Sequence, residues 1–143
     1  MKLFMLKFTH GVEVGAEMAY LGHYERTKDL NVLNIAVDES KHQKEIKRIL
    51  KSYNTKPNYL IDFMFCTIGI IVGVLCLISP VFLLNKVATI LEKFAVFSYT
   101  ELAKKFPEYK DLLNEMEDTE QAHIDYFTLG KVQCEAHQRK NVP

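Results

Sequence analysis

The chain is poor in cysteine, carries no net charge and opens without the pattern expected of a secretory signal, and each of these features argues against a class of function. Its three cysteines, Cys66, Cys76 and Cys134, are odd in number, show no Cys-x-x-Cys spacing, and two of them lie inside an apolar run. That usage argues against a disulfide framework and against a zinc ribbon. Eighteen basic residues balance eighteen acidic ones, so no overall charge recommends a nucleic-acid partner. Met1 to His10 has an apolar core interrupted by Lys7 and no small-residue cleavage site, so a secretory signal is not expected, and the reducing cytoplasm or its membrane face fits best. At 143 residues and 48% hydrophobic content, one domain with a substantial core is expected over residues 1–143.

What the chain does have is apolar periodicity at helical spacing. Val32, Ile35, Glu39, His42, Ile46, Ile49 and Tyr53 follow one another at steps of three and four, the seam of a helix predicted over Asn31 to Tyr53. Glu39 and His42 stand where the pattern asks for apolar side chains. An unpaired buried carboxylate costs several kcal/mol, roughly, so a seam that keeps one needs a compensating partner, and a metal ion is the strongest candidate. Near the C-terminus, Tyr109, Leu113, Met116, Glu120, His123 and Phe127 repeat the arrangement, again with Glu-x-x-His in the middle.

Two further seams each contribute one carboxylate. A first helix, predicted from Phe8 to Thr27, places Leu6, Glu13, Tyr20 and Tyr24 on one face, with Glu17 as the rival to Glu13 one turn later. Another, predicted from Val81 to Phe106, carries Ala88, Glu92, Ala95, Tyr99, Leu102 and Phe106. Glu13 precedes Glu39 by 26 residues and Glu92 precedes Glu120 by 28, and Tyr20 and Tyr99 each follow the first Glu of their pair by seven. The chain reads as two helical hairpins of one design. Pro107 restarts it into the last helix, predicted from Glu108 to His137, and Asp29 or Asn31 is expected to cap the second.

Between the hairpins, Phe63 to Leu84 holds no charged residue over 22 positions. Fully helical, it would span roughly 33 Å. One crossing of a bilayer would put the two Glu-x-x-His motifs on opposite sides. Two crossings would need about 40 residues, more than Leu60 to Leu91 supplies. The segment is therefore expected to lean on a membrane surface through residues 58–84, with Ser79 and Pro80 as its bend. The six Lys or Arg residues between Lys41 and Pro57, against one Glu, precede it as expected beside anionic head groups. A greasy core helix or an oligomer interface is the alternative. From Pro107 to Asp125 the charge reverses, seven acids against Lys110.

One Glu from each of two helices plus Glu-x-x-His from each of two others is the ligand set of ferritin-like, carboxylate-bridged dinuclear sites. Residues three apart on a helix point to one side, so a Glu and a His can hold the same metal. Hard oxygen donors with one imidazole per metal suit iron, or manganese, better than structural zinc. The expected fold is all-α, a ferritin-like up-down four-helix bundle with an extra apolar helical segment. The expected metal ligands are Glu13, Glu39, His42, Glu92, Glu120 and His123. Tyr20 and Tyr99 serve equally well as ordinary core tyrosines, Tyr99 being the candidate for a catalytic side chain. His10, His23 and His137 read as surface residues or as neighbours of the ligands, and Asp38, Asp118 and Asp125 either orient the ligand histidines or sit in solvent.

These residues also carry a family resemblance. The run Thr9-His10-Gly11-Val12-Glu13-Val14-Gly15-Ala16, continuing to Tyr20 and Gly22, resembles the Asp-His-Ala-Gly-Glu-Tyr-Gly-Ala opening of the demethoxyubiquinone hydroxylases of ubiquinone biosynthesis. The similarity continues through Glu39-Ser40-Lys41-His42, Lys56-Pro57, Glu92 with Tyr99, and Glu120-Gln121-Ala122-His123. It implies a membrane-associated di-iron monooxygenase, with two iron ions held by the same six residues, Glu39 and Glu120 bridging and Glu13 and Glu92 terminal. Its partners would be O2, a quinone-like lipid substrate, an external electron donor and a membrane surface, with a homo-oligomer possible and no nucleic acid. Two departures stand out. Ser98 occupies the place of the family's histidine before the tyrosine matching Tyr99, and the family's C-terminal stretch with Arg and Tyr near the quinone has no counterpart before Pro143. They leave room for an oxidase or peroxidase on the same scaffold, or a metal-storing or membrane-leaning scaffold with no reaction.

Overall fold

The structure, a computed structural model, describes residues 2–129. All regular structure among them is helical, in five α-helices: α1 (Lys2–Thr27), α2 (Leu30–Ser52), α3 (Tyr59–Cys76), α4 (Val81–Lys105) and α5 (Lys110–Leu129), with a 3-10 turn at Pro107–Tyr109. The contacts cluster into two compact units, Met1–Val81 and the chain from Phe82 onward.

In the first unit α1 packs on both α2 and α3. It begins six residues before the expected Phe8, because its first turns have tertiary anchors: Leu6 is fully buried and the Lys2 ammonium lies 5.1 Å from the centroid of the Tyr53 ring. That contact sets the start of α1 beside the end of α2, so the two helices run in opposite directions. Midway along them, Gln43 Nε2 donates to the Glu13 carbonyl at 3.2 Å and to Glu17 Oε2 at 2.7 Å. Asp29 caps α2, accepting from the Asn31 amide at 2.9 Å. The far end closes on Asn54, whose left-handed backbone (φ 52°) lets the Asn54 and Thr55 amides reach the Lys51 and Leu50 carbonyls at 3.0 and 3.1 Å.

Asn58 then caps α3 through the Leu60 and Ile61 amides. α3 lies along α1 in the same direction, Gly11 meeting Ile61 and Phe65, Gly15 meeting Phe65 and Gly69, and Gly22 meeting Gly73. The backbones are so close that a methyl group at Gly22 would collide with the Gly73 backbone, and one at Gly69 with the Gly15 carbonyl. Glycine is required at these crossings because nothing larger fits. Only Gly69, Gly73 and Cys76 of α3 are buried, and its apolar side chains, Phe63, Ile70, Ile71 and Val74 among them, stand exposed. It is long and apolar enough to cross a membrane, the one such helix among the described residues.

In the second unit α4 and α5 are joined through Phe106, which is fully buried, and the 3-10 turn that Pro107 opens. Ala88, Glu92, Ala95, Tyr99 and Leu102 form the buried seam of α4, and Leu113, Met116, Glu120, His123 and Phe127 that of α5. The expected continuation of the last helix to His137 lies outside the described residues.

Candidate metal centre

Each unit buries two carboxylates and one imidazole against each other. In the first, Glu13 on α1 and Glu39 and His42 on α2 are all 5% exposed or less, with His42 Nδ1 3.9 Å from Glu13 Oε2 and 3.8 Å from Glu39 Oε2. In the second, Glu92 on α4 and Glu120 and His123 on α5 are buried as deeply, with His123 Nδ1 3.7 Å from Glu92 Oε2 and 3.1 Å from Glu120 Oε2. Each triad offers one ligand atom per residue within 4.8 Å of the others, so each could hold a metal ion. The one-turn separation of Glu and His brings both onto one helix face, and the antiparallel α1 supplies Glu13 to the first triad.

Electrostatics agree with a site that wants a cation. The Glu92 carboxyl is pushed up to about 8, chiefly by burial and then by the neighbouring Glu120 carboxylate, with His123 pulling the other way. A metal ion relieves both causes, because it replaces lost hydration and separates like charges. Two carboxylate oxygens and an imidazole nitrogen, buried together, are a donor set that could hold a metal ion.

No family model, curated protein or solved structure matches the chain.

The remaining candidate residues fall into three groups. Glu17, half-buried, is taken up by Gln43 rather than by the triad. Asp118 and Asp125 are exposed, Asp125 accepting from Gln121, and Asp38 is paired with Lys41. Tyr20 and Tyr99 are buried at 3% and 0% exposure. Ser98 is buried too, and its hydroxyl donates to the Phe94 carbonyl at 2.9 Å, inside its own helix.

Two histidines outside the triads are buried as well. His10 Nδ1 lies 2.9 Å from Asp62 Oδ1, a hydrogen bond from the ring N–H that ties α1 to the first turn of α3. His23 is 2% exposed, and burial pushes its imidazole below the usual range against the opposing pull of Asp29. Asp62 had no signal in the sequence, since its partner is 52 residues away. His137 lies outside the described residues.

Proposed function

We propose that this chain is a membrane-associated, ferritin-like di-iron monooxygenase resembling the demethoxyubiquinone hydroxylases, and that it adds oxygen to a quinone or a similar lipid-like aromatic ring. The observation that supports it is the matched pair of buried triads, each with two carboxylates and one imidazole whose Nδ1 faces them within 4 Å. In this reading each triad would hold one metal, Glu13, Glu39 and His42 the first and Glu92, Glu120 and His123 the second.

When bound, a reduced iron pair supplies O2 activation with electrons from an external donor. The protein's own part is to hold and to shield. Four carboxylates would cancel the charge of two divalent ions, and the imidazoles would bind in their neutral form. Burial of all six keeps water from competing for open positions. Glu92, whose carboxyl is pushed up to about 8 without metal, would have to give up its proton to serve as a ligand. Tyr99, buried seven residues beyond Glu92 on α4, is the candidate for a side chain acting beside the metals. The exposed apolar face of α3 supports a membrane contact at residues 58–84 from which a lipid-like substrate enters. Glutamate at Ile70 and Leu77 should then weaken the lipid binding of the folded protein.

The test is single-turnover oxygenation: iron-loaded, reduced protein is mixed with O2 and a demethoxyquinone, and the quinone is examined for one added oxygen atom. A product lacking that atom, with O2 consumed at the same rate whether or not quinone is present, favours the second reading, an oxidase or peroxidase without an organic substrate. Ser98 is the observation on that side, because its hydroxyl is committed to the Phe94 carbonyl and does not take over the work of a histidine.

A further inference from the structure

The outer face of α4 is apolar and exposed. Opposite Glu92, the residues Leu83, Val87, Ile90, Phe94 and Phe97 follow one another at steps of four and three, and all five are exposed, Ile90 by 67% and Phe97 by 60%. On a helical projection they fall within about 80° of one another, a continuous stripe roughly 21 Å long. Such a stripe is not solvent-adapted, and scattered surface apolar residues do not line up this way.

The charges around it are of nearly one sign. Lys86 and Lys93 are exposed along one flank of the stripe, and Lys104 continues that flank beyond Phe97. The Lys86 ammonium lies 6.0 Å from the centroid of the Phe82 ring, its stem alongside apolar surface. Of the two acids on α4, Glu92 points into the buried triad and Glu101 is held by Lys104 and Lys105.

Two occupants suit an apolar helical stripe, and the observations separate them. A paired helix from a second copy would need the heptad pattern over three or four heptads, whereas this one lasts roughly two before Glu101 ends it. Antiparallel self-pairing would also bring lysine flanks together. An anionic bilayer surface needs only a short apolar stripe, lying in the plane, with lysines beside it to meet the head groups.

We infer that the outer stripe of α4, from Leu83 to Phe97, is a lipid-binding surface for anionic membranes in its own right. The inference stands on exposure and charge and does not depend on the metal reading.

Co-sedimentation of the full chain with vesicles tests it, using phosphatidylglycerol mixed with phosphatidylcholine and phosphatidylcholine alone. Ile90→Glu with Phe97→Glu should lower the partition coefficient at least tenfold with helical content unchanged. Ile90→Ser with Phe97→Ser makes the same comparison without added charge, should the glutamates disturb folding. Lys86→Gln with Lys93→Gln should weaken binding to the anionic vesicles about tenfold and leave the neutral ones unaffected. Wild-type partitioning by the Ile90 and Phe97 variants overturns the inference. So does a wild-type dimer that these substitutions dissociate while vesicle binding persists.

Discussion

His123 holds its Nδ1 3.1 Å from the Glu120 carboxylate one turn earlier on α5, and His42 stands in the same one-turn relation to Glu39 on α2 at 3.8 Å. Neither pair is a surface ion pair, since all four residues are 5% exposed or less. Four buried carboxyl groups in a chain of this size have a desolvation cost that a bound metal ion would offset. Glu39→Ala and Glu120→Ala should therefore each abolish metal binding, read by elemental analysis. In the metal-free protein, Glu39→Gln should raise the melting temperature by about 4 °C, on a gain of about 1 kcal/mol from replacing a buried ionisable group by a neutral one. Two metals retained in both alanine variants would remove these residues from the ligand set.

Metal-free stability depends on pH in opposite senses through Glu92 and His23. Glu92 is raised to about 8 in the fold, so its contribution is fully present below the ordinary carboxylate range and is lost as pH rises through about 8. His23 is lowered by burial, so its contribution is present above about 6.5 and is lost as pH falls below it. Melting temperature measured from pH 5 to 9 should fall toward both ends. Glu92→Gln should flatten the alkaline limb and His23→Gln the acid limb. An alkaline limb unchanged in Glu92→Gln would mean that the carboxyl is already ionised in the fold.

The seams of α2, α4 and α5 were legible in the sequence because period and chemistry coincide there. Glu39, His42, Glu92, Glu120 and His123 interrupt runs whose other members, such as Ile46, Tyr99 and Leu113, can only be core, so their burial followed from spacing. Glu13 and Glu17 could not be separated by spacing, since both lie near one stripe; the hydrogen bond from Gln43 to Glu17, across 26 residues, distinguishes them. The start of α1 and the burial of His10 and His23 were missed for the same reason: each depends on a partner or a cover distant in the chain. The role of the glycines was equally invisible, because a glycine in a helix looks like a propensity defect until the second backbone arrives.

That second backbone makes a prediction of its own. Alanine is about 1 kcal/mol better than glycine in a helix interior, which would stabilise Gly22→Ala were the position open. A methyl group there meets the Gly73 backbone, and overpacking of this kind costs about 1–3 kcal/mol. Denaturant unfolding should show Gly22→Ala less stable than wild type. A gain would mean that α3 yields readily from α1.

The His10–Asp62 hydrogen bond fixes the first turn of α3 against α1 at a half-buried position. Asp62→Ala should lower the unfolding free energy by about 1.5–3 kcal/mol, the range for a hydrogen bond to a charged group. Asp62→Asn, which keeps an acceptor, should recover part of that loss. Equal stability of all three proteins would make the contact incidental.

Metal content tests the central claim most directly. The chain is expressed with iron and analysed for metal per chain, then reduced, and its optical spectrum is followed on admitting O2. About two irons per chain and an absorption that develops only with O2 are the expected result, as for a dinuclear carboxylate centre. A chain that holds no iron, or a single tightly held zinc, contradicts the account, and the buried triads would then need another explanation.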